Sequence, residues 1–246
     1  MMTLAKKLIT GSGARGELEV NGYVEFVSST PMMITPKYSN SGVTLQYSVD
    51  GTTWTPIVSG ATTPSANIIY FIGSATGTKS LYTASSNSNA WTFTGATNLE
   101  CNGKLDRLLQ NTLGSDINVL TIGDYCYSSM FYGCTSLITA PELPATTLAA
   151  SCYQAMFYNC TSLTTAPALP ATTLVNYCYQ AMFLMCSSLK LSTTMTVIYD
   201  TAYRIPTSGT GTTSTAPLTN MFSSTGGTFK GTPEINTTYY TENTPI

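Results

Sequence analysis

The sequence predicts an α+β chain: an all-β, sandwich-like N-terminal domain followed by a short repeat solenoid with capping segments. Three observations lead there. Residues 17–99 alternate apolar and polar side chains in short runs broken by Gly, Ser and Asn clusters, as short strands joined by tight turns do. Residues 126–189 carry one phrase three times at a period of 26, read from Cys126 to Cys152 to Cys178 and from Cys134 to Cys160 to Cys186. A fixed period in this range marks stacked supersecondary units. Within each copy apolar side chains recur at i, i+4 and i+8, which predicts one face of a short helix.

Residues 1–16 read as an N-terminal docking arm and linker. Leu4, Ala5, Leu8 and Ile9 form one stripe of a short helix, with Lys6 and Lys7 turned away. So short a helix is marginal alone, so the stripe is expected to order against a partner or along a symmetry axis, the competing expectation being a frayed terminus. Gly11-Ser-Gly13-Ala-Arg-Gly16 has the spacing of the dinucleotide fingerprint. That mechanism needs a helix to follow, and Glu17 to Phe26 alternate as a strand instead, so the segment is read as linker and no cofactor is expected. No apolar h-region follows Lys6 and Lys7, and no run of about 18 apolar residues occurs, so neither a signal peptide nor membrane insertion is expected.

In the β unit of residues 17–99, strands are expected around Val20–Phe26, Val43–Val49, Thr52–Val58, Ile68–Ile72, Ser80–Thr83 and Ala90–Phe93. Pro31 to Pro36 breaks the first run, and Asp50-Gly51 has the chemistry of a type I′ hairpin turn. Trp54 is the expected core anchor of the returning strand.

Residues 100–190 are assigned to the solenoid and its N-terminal cap. Gly103 to Gln110 is expected to be helical, with Leu105, Leu108 and Leu109 covering the first open edge. The repeats then place a core ladder of Cys126, Met130, Phe131, Cys134 and Leu137, of Cys152, Met156, Phe157, Cys160 and Leu163, and of Cys178, Met182, Phe183, Cys186 and Leu189. In-register cysteines on this ladder point the same way, so they are read as small buried hydrophobes rather than bridges or metal ligands. Residues 191–246 decay from the frame, and Asn220-Met221-Phe222 restates it once within a degenerate last repeat and C-terminal cap.

The phrase Met156-Phe-Tyr-Asn-Cys-Thr-Ser-Leu-Thr-Thr-Ala-Pro-Ala-Leu-Pro-Ala-Thr-Thr-Leu174 resembles the BspA-like class of leucine-rich repeats. Residues 122–189 carry the resemblance, and the Met221 to Tyr240 ending is similar to the terminal unit of such proteins. Members occur as bacterial surface adhesins and in crAss-like bacteriophages of Bacteroidales, where they are similar to head fibres and tail appendages. The resemblance implies a repeat surface that meets host or bacterial partners. With no export signal read, the expectation is a virion surface protein made in the host cytoplasm, a head fibre or decoration. A bacterial cell-surface adhesin is the alternative.

Composition narrows the chemistry. Only 9% of residues are charged, the net charge is -2, and there is no His. No clustered Lys and Arg offer a footprint for nucleic acid. Ser–His chemistry is impossible, thiols lack their usual base, and Glu142 stands alone in the repeats where a glycosidase needs two carboxylates. The expectation is a non-enzyme with no catalytic, cofactor or metal residues. It would join a capsid or other virion protein through its N-terminus, form a dimer or trimer, and meet a glycan or protein receptor through Thr- and Tyr-rich surfaces.

Overall fold

The structure is a computed structural model that describes residues 22–110, 121–205 and 214–242. Seven strands form one sheet: β1 (Val24–Thr35), β2 (Val43–Ser48), β3 (Thr55–Ile57), β4 (Ala66–Ala75), β5 (Thr92–Thr94), β6 (Leu99–Asn102) and β7 (Leu137–Thr139). Their order is β3-β2-β4-β1-β6-β7, with β5 also on β1. A second sheet of three strands, ordered β8-β10-β9, comprises β8 (Leu191–Ser192), β9 (Tyr199–Ile205) and β10 (Thr237–Glu242). One contiguous apolar core runs from Val24 through the repeats to Tyr239.

The expected α+β class is corrected. Among the described residues there is no α-helix, only two 3-10 turns at Asn87–Asn89 and Leu105–Leu108, and the sheets are neither closed nor wound as a solenoid. The sandwich expectation also falls. Residues 22–102 contribute six strands to one sheet rather than to two facing sheets, and β7 of the first repeat extends that sheet by pairing in parallel with β6.

Three local features explain where the strands differ from their expected limits. Strand β1 runs straight through Pro31, which is exposed and sits where the register against β4 shifts between Val27 and Met32. Proline lacks an N–H for the ladder and is tolerated at such an irregularity. There β1 changes partner, from β6 at Glu25–Val27 to β5 at Met33–Thr35. The β2–β3 turn is longer than the expected two-residue type. The Asp50 carboxylate accepts from the N–H groups of Thr52 and Thr53, both at 2.7 Å, and only Gly51 of the pair is left-handed, at φ 73°.

The repeats stack through turns instead of helices. In each copy one residue in four lies in the left-handed region: Tyr125, Ser129 and Gly133, then Ser151, Ala155 and Asn159, then Tyr177, Ala181 and Met185. Between them the backbone closes i→i−3 bonds, such as Met130 N–H to Tyr127 O at 3.2 Å and Cys134 N–H to Phe131 O at 3.0 Å. Every other N–H leaves the copy. Tyr125, Tyr127, Ser129, Phe131 and Gly133 donate to the carbonyls of Ala150, Cys152, Gln154, Met156 and Tyr158 at 2.8–2.9 Å. The second copy repeats this to the third, from Ser151 to Asn176 through Asn159 to Leu184. A four-residue turn keeps i, i+4 and i+8 on one face, as a helix nearly does, so the apolar spacing alone reads as helical. The left-handed residues, not the apolar ones, separate the two.

Both ends of the stack are covered. The outward carbonyls of the first copy accept from the N-terminal sheet region: Cys126 O from Leu81 N–H at 3.1 Å, Met130 O from Trp91 N–H at 2.9 Å, and Ser136 O from Leu99 N–H at 2.8 Å. The third copy donates to a fourth layer, as in Phe183 N–H to Met221 O at 2.9 Å, and that layer is closed by Phe222 N–H to Gly231 O at 2.9 Å. Residues 229–232 thus stand where a fifth copy would.

Candidate ligand-binding surface

All fifteen residues of the expected core ladder are buried, none more than 9% exposed. The phenylalanines form a column: Phe131, Phe157, Phe183 and Phe222 stack at 5.4–5.5 Å with interplanar angles of 6–12°. Tyr127, Tyr153 and Tyr179 make a second column at 5.7–5.8 Å. Rings at these separations are in contact, and layer-to-layer registry sets their near-parallel stacking.

The seven cysteines are free thiols, all buried. Cys160 Sγ donates to Phe131 O at 3.1 Å and Cys186 Sγ to Phe157 O at 2.9 Å, one copy back in each case. Burial pushes the thiols up, Cys134 and Cys178 to about 11 and Cys186 to about 12, so they are protonated and unreactive at neutral pH. No group of three or more His, Cys, Asp or Glu among the described residues is arranged to hold a metal. Leu4, Ala5, Leu8 and Ile9 of the expected docking arm lie outside the described residues.

What the stack turns outward is aromatic, amide and hydroxyl. Tyr132 lies flat on Tyr158 at 4.5 Å and 9°, both half-buried. Gln154 Nε2 donates to Gln180 Oε1 at 2.6 Å, so the amides chain along the same direction as the rings. Between the first two copies, Ile138, Thr139, Ala140, Thr164, Thr165, Ala166 and Pro167 line a shallow cleft of about 250 Å³. It is smaller than an ordinary enclosed ligand pocket, which suits contact along a surface better than capture of a small molecule.

The structure also brings together residues that the sequence does not suggest as a group. Trp54 is no core anchor: it lies half-exposed with its ring 6.1 Å from Tyr23, and Tyr23 in turn meets Tyr70 edge-on at 4.8 Å. The buried tryptophan is Trp91, wedged between Phe26 at 6.0 Å and Phe71 at 5.2 Å, with its Nε1 donating to Lys37 O. No protein-family model, curated protein or solved structure matches the chain. No helix among the described residues is long and apolar enough to cross a membrane.

Proposed function

We propose that this chain is a non-enzymatic adhesion protein of a virion surface, a head fibre or decoration similar to the BspA-like repeat proteins of crAss-like phages. In this reading its N-terminal segment joins a capsid or other virion protein, two or three copies assemble, and the repeat stack faces glycans or proteins of the host cell or gut. The observation that carries the reading is the outer edge of the stack. There Tyr132 lies on Tyr158 between the first two copies and Gln154 bonds Gln180 between the second and third, on a backbone whose every second N–H is tied to the next layer. Such a surface is rigid and uncharged, so it pays little ordering entropy when it meets a partner. Burial of all seven thiols and the lack of any His support binding over nucleophilic chemistry.

The test is adsorption of the purified chain to Bacteroidales cells and to immobilised mucin glycans. Tyr132→Ala with Tyr158→Ala, checked for an unchanged far-UV spectrum, is expected to lower retention about tenfold. Equal retention by the double variant refutes the assignment of this edge. Finding the chain in density-purified particles is the expected outcome for the virion setting, and an outer-membrane location in uninfected cells overturns it.

A further inference from the structure

We propose that the outward face of the seven-stranded sheet carries a separate binding site for uncharged hexose-based glycans, built by Tyr23, Trp54 and Tyr70 around the Glu25–Asn102 pair. Register puts the parts together. Glu25 of β1 lies directly opposite Tyr70 of β4 on one side and Asn102 of β6 on the other, so the three side chains form a row across the sheet. Asn102 Nδ2 donates to Glu25 Oε2 at 3.1 Å, which fixes both groups. Tyr23 sits two residues before Glu25 on the same face and joins Tyr70 to Trp54 in one continuous wall of rings.

The polar ends of these rings complete the site. Tyr38, Tyr82, Tyr127 and Tyr203 each donate a hydroxyl proton to a backbone carbonyl, as Trp91 does its indole N–H. Tyr23, Tyr70 and Trp54 make no such bond to any described residue. Two hydroxyls, an indole N–H, a held carboxylate and a held amide therefore share one face of the sheet with three half-buried rings. That is the donor–acceptor set and the flat apolar surface that a pyranose, with hydroxyls around its edge and C–H groups on its faces, would match.

Geometry and charge narrow the class further. Centroids 4.8 and 6.1 Å apart mean the rings touch one another, so no slot remains between them for a caged ammonium group. The ligand lies against the outside of the wall. Val27 is opposite Glu100, which brings a second carboxylate onto the face that carries Glu25, and the two repel. A sialylated or uronic glycan would bring a further carboxylate against Glu25, where burial already disfavours charge, and is disfavoured.

Because Trp91 is 3% exposed, a change in tryptophan emission on ligand addition reports Trp54. The full chain is titrated with maltohexaose, cellohexaose and mannohexaose, and with polygalacturonate and sialyllactose as anionic controls. At least one neutral oligosaccharide is expected to shift the emission saturably, with the anionic controls inert. Calorimetry on Trp54→Ala, whose thermal midpoint serves as the folding control, should show affinity about tenfold weaker. Val197→Ala, at a 95% exposed position that belongs to neither this wall nor the outer edge of the repeats, should bind as the parent does. No response to any neutral sugar, preference for the anionic controls, or undiminished binding by folded Trp54→Ala overturns the proposal.

Discussion

Phe93 stacks on Phe131 with centroids 5.7 Å apart and planes 10° from parallel. The lowest ring of the phenylalanine column therefore comes from β5 of the N-terminal sheet, and the repeats grow from a platform that the sheet supplies. With Leu81, Trp91 and Leu99 donating to the first copy's carbonyls, the junction is both apolar and hydrogen-bonded. Sheet and stack are expected to unfold as one unit.

Phe157, in the middle of the column and 0% exposed, tests that coupling. Phe157→Ala should cost about 3–5 kcal/mol and Phe157→Leu much less, since truncation leaves a cavity between two fixed rings. Urea unfolding followed by far-UV dichroism and by the buried Trp91 should give coincident curves, both displaced in Phe157→Ala. Separated curves, with Trp91 unmoved, would show that sheet and stack are independent.

The left-handed positions give a graded series. Gly133, Asn159 and Met185 occupy one structural position at φ 73°, 58° and 66°. Glycine bears this conformation without strain, asparagine tolerates it, and methionine is strained by roughly 1–2 kcal/mol. Met185, at 43% exposed, packs little, so Met185→Gly should raise the thermal midpoint. Gly133→Ala should lower it by a similar amount, because a Cβ there meets nothing within 4 Å and only the backbone objects. Calorimetric midpoints of the two variants moving the same way would refute the account.

The period of the stack and its buried residues were legible because repetition and apolar spacing both survive translation into layers. Cys126, Met130 and Cys134 face the core whether the chain winds as a helix or closes a turn every fourth residue. The distinction lay in Tyr125, Ser129, Ala155 and Ala181, whose side chains do not announce a left-handed backbone. Trp54 was misplaced because strand alternation does not say which face is buried. The wall of Tyr23, Trp54 and Tyr70 was invisible, since only the pairing of β1 with β4 brings these distant positions together.

The thiols offer a chemical readout of integrity. With every cysteine buried and protonated at neutral pH, the native protein should not react with an aromatic disulfide reagent on the timescale that unfolded protein does. In denaturant all seven should titrate. Cys160→Ser should destabilise more than Cys160→Ala only if its hydroxyl cannot take over the bond to Phe131 O, and the two midpoints measure that directly. Rapid labelling of one or more thiols in the native state would refute the packed ladder.

Glu25 gives the pH dependence a sign. Burial raises its pKa above the ordinary value of 4.5, the Asn102 hydrogen bond opposes the shift, and repulsion from Glu100 adds to it. The folded state then holds a proton that the unfolded chain has already released. Stability from this group is fully present below pH 4.5 and declines as pH rises through the folded value. Glu25→Gln keeps an acceptor for Asn102 Nδ2 and removes the charge. Its midpoint should exceed that of the parent at pH 7, and the gap should close as pH falls toward 4.5. A parallel pair of stability–pH curves would mean that Glu25 is as well solvated in the sheet as in the unfolded chain, and that Glu100 does not reach it. At the glycan site the same variant separates the two roles of Glu25. Replacing the carboxylate by an amide leaves the ring wall untouched and changes only the hydrogen-bonding edge, so loss of sugar affinity with gained stability would place Glu25 at the ligand.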